Sequence, residues 1–271
     1  MHFLSVVAIF KDEAHCLKEW LDHYLNEGVD HFYLIDNGST DNSEKILSNY
    51  LQKNQVTLVK DETRWAQVAL YNKYFLKERK NNRWFIVCDM DEFIYSRRGF
   101  KTIRRFLKFL PPPIGLVRIP WKMFGSSGLE KQPDQIIPNF TKRSNYNGVK
   151  NQGMKDEQYG LGKVIVRSSC LKWFDIHHCD TKKFCLSITS DLKMYFTNDK
   201  DFQKINEDIL RKSFLHLNHY PIQSKEWFLN VKAKRGSADS KDSENIRDIE
   251  YFEIYDQKSN ELSDVELAEK S

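Results

Sequence analysis

The first ninety residues alternate between two hydrophobic periods, and that alternation restricts the chain to one class of fold. Leu4 to Phe10 is an apolar run of strand length, after which Ala14, Leu17, Leu21, Tyr24 and Leu25 recur at helical spacing. Asp12 is placed to cap that helix and Gly28 to stop it. A strand at His31 to Ile35, a helix near Asn42 to Gln52 with Asp41 available as its cap, and a strand at Val56 to Lys60 follow. A helix from about Ala66 to Arg79 then leads into the strand RWFIVCDM. Strands separated by helices require crossover connections, so the expected fold is α/β, a mainly parallel sheet with helices on both faces. In such sheets ligands bind beyond the carboxyl ends of the strands. Four loops qualify: Lys11 to Glu13, Asp36 to Asp41, Asp61 to Arg64 and Asp89 to Asp91.

Prolines 111 to 113 end a basic helix, Phe100 to Leu110, and open a less regular half in which GLVRIPW and KVIVR read as strands. Asn145 to Gly162 is a polar, glycine-containing loop, and SKEWFLNVKAKRG reads as a helix capped at Ser224 and stopped by Gly236. The expected organisation is one domain over residues 1–236, in two halves over 1–98 and 99–236. From Ser237 to Ser271 the chain is polar and reads as a loosely attached tail.

Charge and cysteine content narrow the partners. The balance of 42 basic against 38 acidic residues leaves +4, too mild for a nucleic-acid surface, while anionic small molecules and a lipid surface remain open. The run Phe3 to Phe10 is far below the ~18 apolar residues of a membrane span and lacks the flanks of a secretory signal. Five cysteines with no CxxC pair favour neither a disulfide scaffold nor a thiolate zinc site, so the expected compartment is the cytosol.

The strongest chemical signal is the strand WFIVC running into Asp89-Met90-Asp91-Glu92. Residues i and i+2 of a strand share one face, so both aspartates can approach one divalent cation while Met90 points inward. The alternative is that Asp89 and Asp91 only cap a strand end. The second signal, DNGSTD from Asp36 to Asp41, offers backbone N–H groups and short acceptors suited to a base or ribose, but also reads as an ordinary turn before a helix cap.

Together VAIFKDEAHCLKEWLDHYLNEGVDHFYLIDNGSTD and FIVCDMDEFIY resemble GT-A glycosyltransferases, most closely the family 92 and family-2-like group. The resemblance runs from about residue 3 to 96, and continues more thinly through WKMFGSSG, KVIVR and NHYPIQSKEWF. It implies a metal-dependent hexosyltransferase using a nucleotide-diphosphate sugar, expected to be a UDP-sugar, and a glycan or glycolipid acceptor such as lipopolysaccharide or capsule. Phe10, Lys11 and Glu13 would line the nucleotide pocket, Asp36, Asn37 and Ser39 would meet base and ribose, and Asp89 with Asp91 would hold Mn²⁺ or Mg²⁺, Glu92 bracing them. Related folds often draw a further metal ligand from a histidine, for which His219 and His177 are the two candidates.

Several assignments remain open between a functional and a structural role. Met90, Gln67 and Asn72 are candidate donor contacts; Arg64, Lys163, Ser224, Lys225 and Lys232 are candidate phosphate contacts. Trp121, Phe124 and the turn Gly125 to Gly128 form a candidate acceptor platform. An inverting transfer needs a carboxylate base, for which Asp156 and Glu157 are the candidates. The alternatives are a haloacid-dehalogenase-like phosphatase, disfavoured by Phe93 where that family wants Thr or Val, and a non-catalytic sugar-nucleotide-binding module. The basic aromatic stretch FKTIRRFLKFL is compatible with peripheral contact at an inner membrane face.

Overall fold

The computed structural model describes residues 1–147, 162–195, 205–239 and 247–270. Its centre is a mixed, mostly parallel sheet. The strands of the first half are β1 (His2–Phe10), β2 (His31–Asp36), β3 (Val56–Lys60), β4 (Asn82–Val87), β5 (Glu92–Ser96) and β6 (Ile114–Met123). Then come β7 (Lys142–Arg143), β8 (Gly162–Arg167), β9 (Leu171–Trp173), β10 (Asp180–Thr181), β11 (Leu186–Thr189), β12 (Met194–Tyr195), β13 (Leu215–His219) and β14 (Leu262–Ser263). The main order is β12-β11-β6-β8-β4-β1-β2-β3, with β13 pairing both β5 and β6. Pairs β1–β2, β2–β3, β1–β4 and β6–β11 are parallel, and β8 is inserted antiparallel between β4 and β6. The α/β expectation holds.

Helices α1 (Ala14–Asn26), α2 (Ser43–Gln52), α3 (Gln67–Phe75) and α4 (Ile103–Phe109) cover the sheet, followed by α5 (Glu207–Lys212). A single helical run over 225–235 comprises α6 (Lys225–Trp227), a π turn over Phe228–Lys232 and α7 (Ala233–Arg235); α8 (Ile249–Lys258) and α9 (Glu266–Lys270) complete the chain. Two buried clusters sandwich the sheet: Trp20, Tyr24, Phe32, Trp84, Phe93 and Phe106 belong to the larger, Tyr71, Phe75, Phe85 and Phe174 to the other.

Local chemistry explains both agreements and departures. Gly28 stops α1 at φ +92°, and a β-carbon there would come within 2.7 Å of the Arg104 side chain. Asp12 does not cap α1. It takes φ +53°, its carboxylate accepts from Thr40 N at 2.7 Å, and Asp41 of the neighbouring loop accepts from Ala14 N at 2.8 Å instead. The other oxygen of Asp41 accepts from Ser43 N at 3.0 Å, so one carboxylate serves the starts of two helices.

Two expectations fail. Cys170 and Cys185 form a disulfide, leaving Cys16, Cys88 and Cys179 as buried thiols. Spacing alone hid the pair, because the two cysteines stand 15 positions apart and only the β8–β9 turn and the entry to β11 bring them together. The polar C-terminal segment, expected as a loose tail, is packed over 247–270. Phe252, Tyr255 and Leu267 are buried, β14 pairs with β7, and Asp264 accepts from Lys122 at 2.9 Å and Arg143 at 2.6 Å. Its attachment is mostly polar, which composition reads as detachment.

Candidate active site

At the carboxyl ends of β1, β4 and β6 lies a cavity of about 280 Å³ whose lining includes Phe10, Lys11, Asp89, Asp91, Trp121 and His219. The acidic residues are not presented by strand pleat. β4 stops at Val87, and Asp89 to Asp91 form the turn into β5, closed by Glu92 N donating to Asp89 O at 3.2 Å. The turn is braced from beneath by α1. Trp20 Nε1 donates to the carbonyls of Asp89 and Glu92 at 3.0 and 3.1 Å, Tyr24 Oη donates to Glu92 O at 3.0 Å, and His23 Nε2 bonds Ile94 O at 2.7 Å. Successive turns of one helix thus carry an apolar body into the core and a polar tip to an irregular backbone that needs partners.

Each carboxylate has its own cation. Asp89 Oδ2 accepts from Lys163 Nζ at 2.7 Å and Oδ1 from Gln67 Nε2 at 3.1 Å. Asp91 Oδ2 accepts from Lys232 Nζ at 2.7 Å, with His219 Nε2 3.6 Å from Oδ1. Burial opposes ionisation of both, but Lys163 beside Asp89, and Lys232 with His219 beside Asp91, outweigh it and hold both pKa values below the usual carboxylate range. Glu92 is fully buried. It accepts from Trp121 Nε1 at 2.7 Å and Asp89 N at 2.8 Å, and burial lifts its pKa to about 7 against the pull of Lys163. That places it as a brace for the turn rather than a group facing the cavity.

The basic side of the cavity comes from the far end of the chain. Lys232 lies on the π turn, an irregularity that often marks functional positions. Arg235 donates to Glu13 Oε1 at 2.6 Å and to Lys11 O at 2.8 Å, locking this helix onto the β1 loop. Arg247, also lining the cavity, donates to Gly236 O at 3.2 Å, and burial lowers its pKa. No carboxylate pairs with Arg247 among the described residues. A half-buried guanidinium that faces a cavity with donors no described residue takes is suited to an anion. Tyr251 and Tyr255 of α8 extend the same wall.

The structure sorts the candidates drawn from sequence. Phe10, Lys11, Glu13, Asn37, Gln67, Asp89, Met90, Asp91, Trp121, His177, His219 and Lys232 line the cavity. Asp36 and Ser39 do not: Asp36 accepts from Ser39 N at 2.7 Å, Ser39 Oγ accepts from Asp12 N at 3.1 Å, and both face a separate cleft beside Lys60. Asn72 faces away too, exchanging hydrogen bonds with the backbone of Phe174 at 2.8 and 2.9 Å. Lys225 lies outside the cavity, 4.0 Å from Glu253, and Arg64 is exposed over Trp65. Lys163 supports Asp89 from below instead of lining the cavity, and Ser224 is a helix cap, accepting from Trp227 N at 3.1 Å. Phe124 is core, and of the turn Gly125 to Gly128 the first two residues are covered while Gly128 is exposed. Ser126 donates to Asp256 through N and Oγ at 2.6 and 2.9 Å, and a β-carbon on Gly125 would stand 2.6 Å from Ser259 O. Asp156 and Glu157 lie outside the described residues. Arg235, Arg247, Tyr251 and Tyr255 were not anticipated, although the Lys-Arg-Gly end of the basic helix was a usable signal for Arg235.

The donor set fits a hard or borderline divalent ion: two aspartates with imidazoles nearby. His219 Nδ1 is buried without a hydrogen-bond partner, the kind of atom a ligand or ion neighbourhood satisfies. His177 is fixed differently, its Nδ1 3.1 Å from Gly162 O and its ring edge-on to Trp121; burial lowers its pKa to about 4, so it is a neutral imidazole. The lysine ammoniums at present supply the charge that an ion would share. Among the described residues, only Glu13, His15 and Cys16 bring three ligand atoms within 4.8 Å of one another, and there Arg235 already holds the Glu13 carboxylate.

The sequence model of glycosyltransferase family 92 matches residues 4–251. A glycosyltransferase family 92 protein of Oryza sativa subsp. japonica is 28% identical over 140 residues, covering 50% of this chain and 24% of the relative. One of Ricinus communis is 23% identical over 233 residues, covering 84% of this chain and 37% of the relative. The chain therefore spans well under half the length of these curated relatives. Likeness to solved structures is distant: residues 1–349 of S. aureus TarS in complex with UDP align at TM-score 0.41 and 15% identity, over 64% of this chain and 50% of that one.

Proposed function

This chain belongs to glycosyltransferase family 92, and from that premise we propose that it transfers a hexose from a nucleotide-diphosphate sugar, with a UDP-sugar as donor, to a hydroxyl of a glycan or glycolipid. The observation carrying the reading is one cavity at the strand ends that brings the paired aspartates together with Lys232, Arg235 and Arg247. Departure of a nucleoside diphosphate builds negative charge on the β-phosphate, and fixed cations aimed there stabilise the transition state more than the ground state. Arg247 has guanidinium donors that no described residue takes, available for this task. Asn37, Phe10 and Lys11 shape the nucleoside end of the cavity.

Asp91, with Asp89 and His219, would hold Mn²⁺ or Mg²⁺, which when bound supplies further positive charge to the diphosphate. Lys232 then serves as the movable partner of Asp91, free to turn its ammonium toward phosphate oxygens. Trp121 offers an apolar face for a sugar ring, and the buried Glu92–Trp121 bond fixes its orientation. The reading is tested by calorimetric titration of UDP and UDP-sugars, with and without manganese, into the wild type and Asp91→Asn. Manganese-dependent binding lost in the variant, with an unchanged melting temperature, supports it; equal binding by both proteins overturns the assignment of Asp91.

A further inference from the structure

At the opposite end of the sheet the chain presents a surface of different chemistry. β1 carries Phe3 seven residues before Phe10, so at ~3.3 Å per residue the two rims stand roughly 23 Å apart. Three cations converge on Phe3: Arg104, Arg83 and Lys108 lie 4.8, 5.3 and 5.7 Å from its ring centroid. The neighbouring strands enter from the same side. Leu186 N donates to Pro113 O at 2.8 Å as β11 starts beside β6, and Lys182 N donates to Cys170 O at 2.9 Å.

Two aromatic side chains project from these entries and are left exposed by the described residues, Phe109 touching only Phe100 at 5.7 Å between ring centroids. Phe184 is 93% exposed, follows the exposed Lys182 and Lys183, and is held next to Cys185, whose disulfide to Cys170 anchors the tip. Phe109 is 67% exposed at the end of α4, beside exposed Lys108 and Arg105. Of the acidic groups on adjoining segments, Asp30 is paired with Arg104 at 2.6 Å, Glu78 accepts from Asn81 at 3.0 Å, and Asp180 sits in β10. Among the described residues basic side chains outnumber acidic ones on this rim, although Glu78 and Asp180 have no ion-pair partner there, and its aromatic tips stand proud instead of forming an apolar groove for a helix or strand.

We propose that this rim docks on an anionic lipid bilayer, Phe184 and Phe109 entering the headgroup layer while the surrounding lysines and arginines meet lipid phosphates. Aromatic rings favour the interface between water and acyl chains, and each nearby basic side chain adds attraction to an anionic leaflet. The geometry has a consequence for the site: with this rim on a membrane, the cavity opens on the side away from it, which favours a glycan arriving from the water over a glycolipid of the same bilayer as acceptor. The inference does not depend on the sugar-transfer reading, because none of its residues lines the cavity.

Flotation of the full chain with phosphatidylcholine vesicles, with and without an equal share of phosphatidylglycerol, tests it. Binding is expected to the anionic vesicles only and to weaken with salt. Lys182→Glu combined with Lys183→Glu should lower the partition coefficient at least about tenfold, and Phe184→Ser should lower it several-fold at high salt, where electrostatic attraction is screened. Nucleotide binding and melting temperature are the controls and should not change. Absence of binding at low ionic strength, equal binding to neutral vesicles, or an undiminished partition of these variants overturns the proposal. So does concentration-dependent self-association that the same substitutions abolish, which would make the rim a contact between copies.

Discussion

The N-terminal half and the C-terminal segment are both integral to the fold, yet opposite forces hold them. In the first ninety residues, large apolar side chains such as Trp20, Phe32 and Trp84 are fully buried, and hydrogen bonding serves mainly to satisfy backbone. The segment over 247–270 buries Phe252, Tyr255 and Leu267, but most of its attachment is charge: Asp264 with Lys122 and Arg143, Glu266 with Arg97, Asp256 with Ser126, and Lys270 with Glu27. The two regions meet at the cavity, one giving the carboxylates and the other Arg247 and the tyrosines. The acidic side is thus built on a core that forms by burial, and part of the basic side on a segment whose adhesion depends on ionisation.

The sharpest way to break that contrast is to remove one anchor from each region. Trp20→Ala should cost about 3–5 kcal/mol of global stability through lost burial and cavity formation, and Trp20→Phe, which keeps most of the burial but removes two hydrogen bonds to the acidic turn, about 1–2 kcal/mol. Denaturant melts measure both. Asp264→Ala should cost about 3 kcal/mol by leaving Lys122, fully buried, short of its carboxylate. Here the loss should be local: hydrogen exchange should accelerate in 247–270 before β1 or β4 responds. Lys122→Met combined with Asp264→Leu should recover the part owed to Lys122, since an apolar pair needs no desolvation compensation, but not the part owed to Arg143, which keeps only Glu207 as an ion-pair partner. If Asp264→Ala instead unfolds the whole chain in one step, the two regions are a single cooperative unit and the contrast fails.

A smaller effect sharpens the contrast at the cavity itself. Arg247→Ala should weaken binding of a nucleoside diphosphate about tenfold, roughly 1.4 kcal/mol, while leaving binding of the bare nucleoside and the melting temperature unchanged. Equal weakening of nucleoside and diphosphate would mean that Arg247 shapes the cavity without meeting phosphate.

The same contrast explains what was legible in the sequence. Periodicity exposes elements that fold by burying one face, so the strands and helices from β1 to β4 fall within a few residues of expectation. The acidic turn was visible because Asp89 and Asp91 follow an uninterrupted apolar strand. Contacts made by polar groups with distant partners leave no periodic trace. Asp36, Ser39 and Asn72 have donor-binding chemistry, yet each spends it on neighbouring backbone, and only the fold shows that. Asp256 and Asp264 read as tail charges because Ser126 and Lys122 lie more than a hundred residues away. The brace was half legible: Trp20, His23 and Tyr24 sit at core spacing on α1, but nothing in that spacing says their polar tips hold the turn that carries the site.

His23 provides the finest test, since it belongs to the buried side of the contrast yet titrates. Its ring is buried, Nε2 bonds Ile94 O at 2.7 Å, and burial lowers its pKa from 6.5 to about 4. A histidine whose folded pKa lies below its unfolded value takes up fewer protons in the fold. Stability is therefore unaffected by this group above the unfolded pKa and falls as pH drops from 6.5 toward 4. By about pH 6 the loss from His23 alone should be on the order of 1 kcal/mol, and it grows with further acidification. His23→Gln keeps an N–H for Ile94 O without a titrating ring, so the variant's denaturant midpoint should fall less steeply over that window than the wild type's. Parallel pH profiles for the two proteins would mean that His23 takes up its proton as readily in the fold as in the unfolded chain, and that the brace under the acidic turn is open to water.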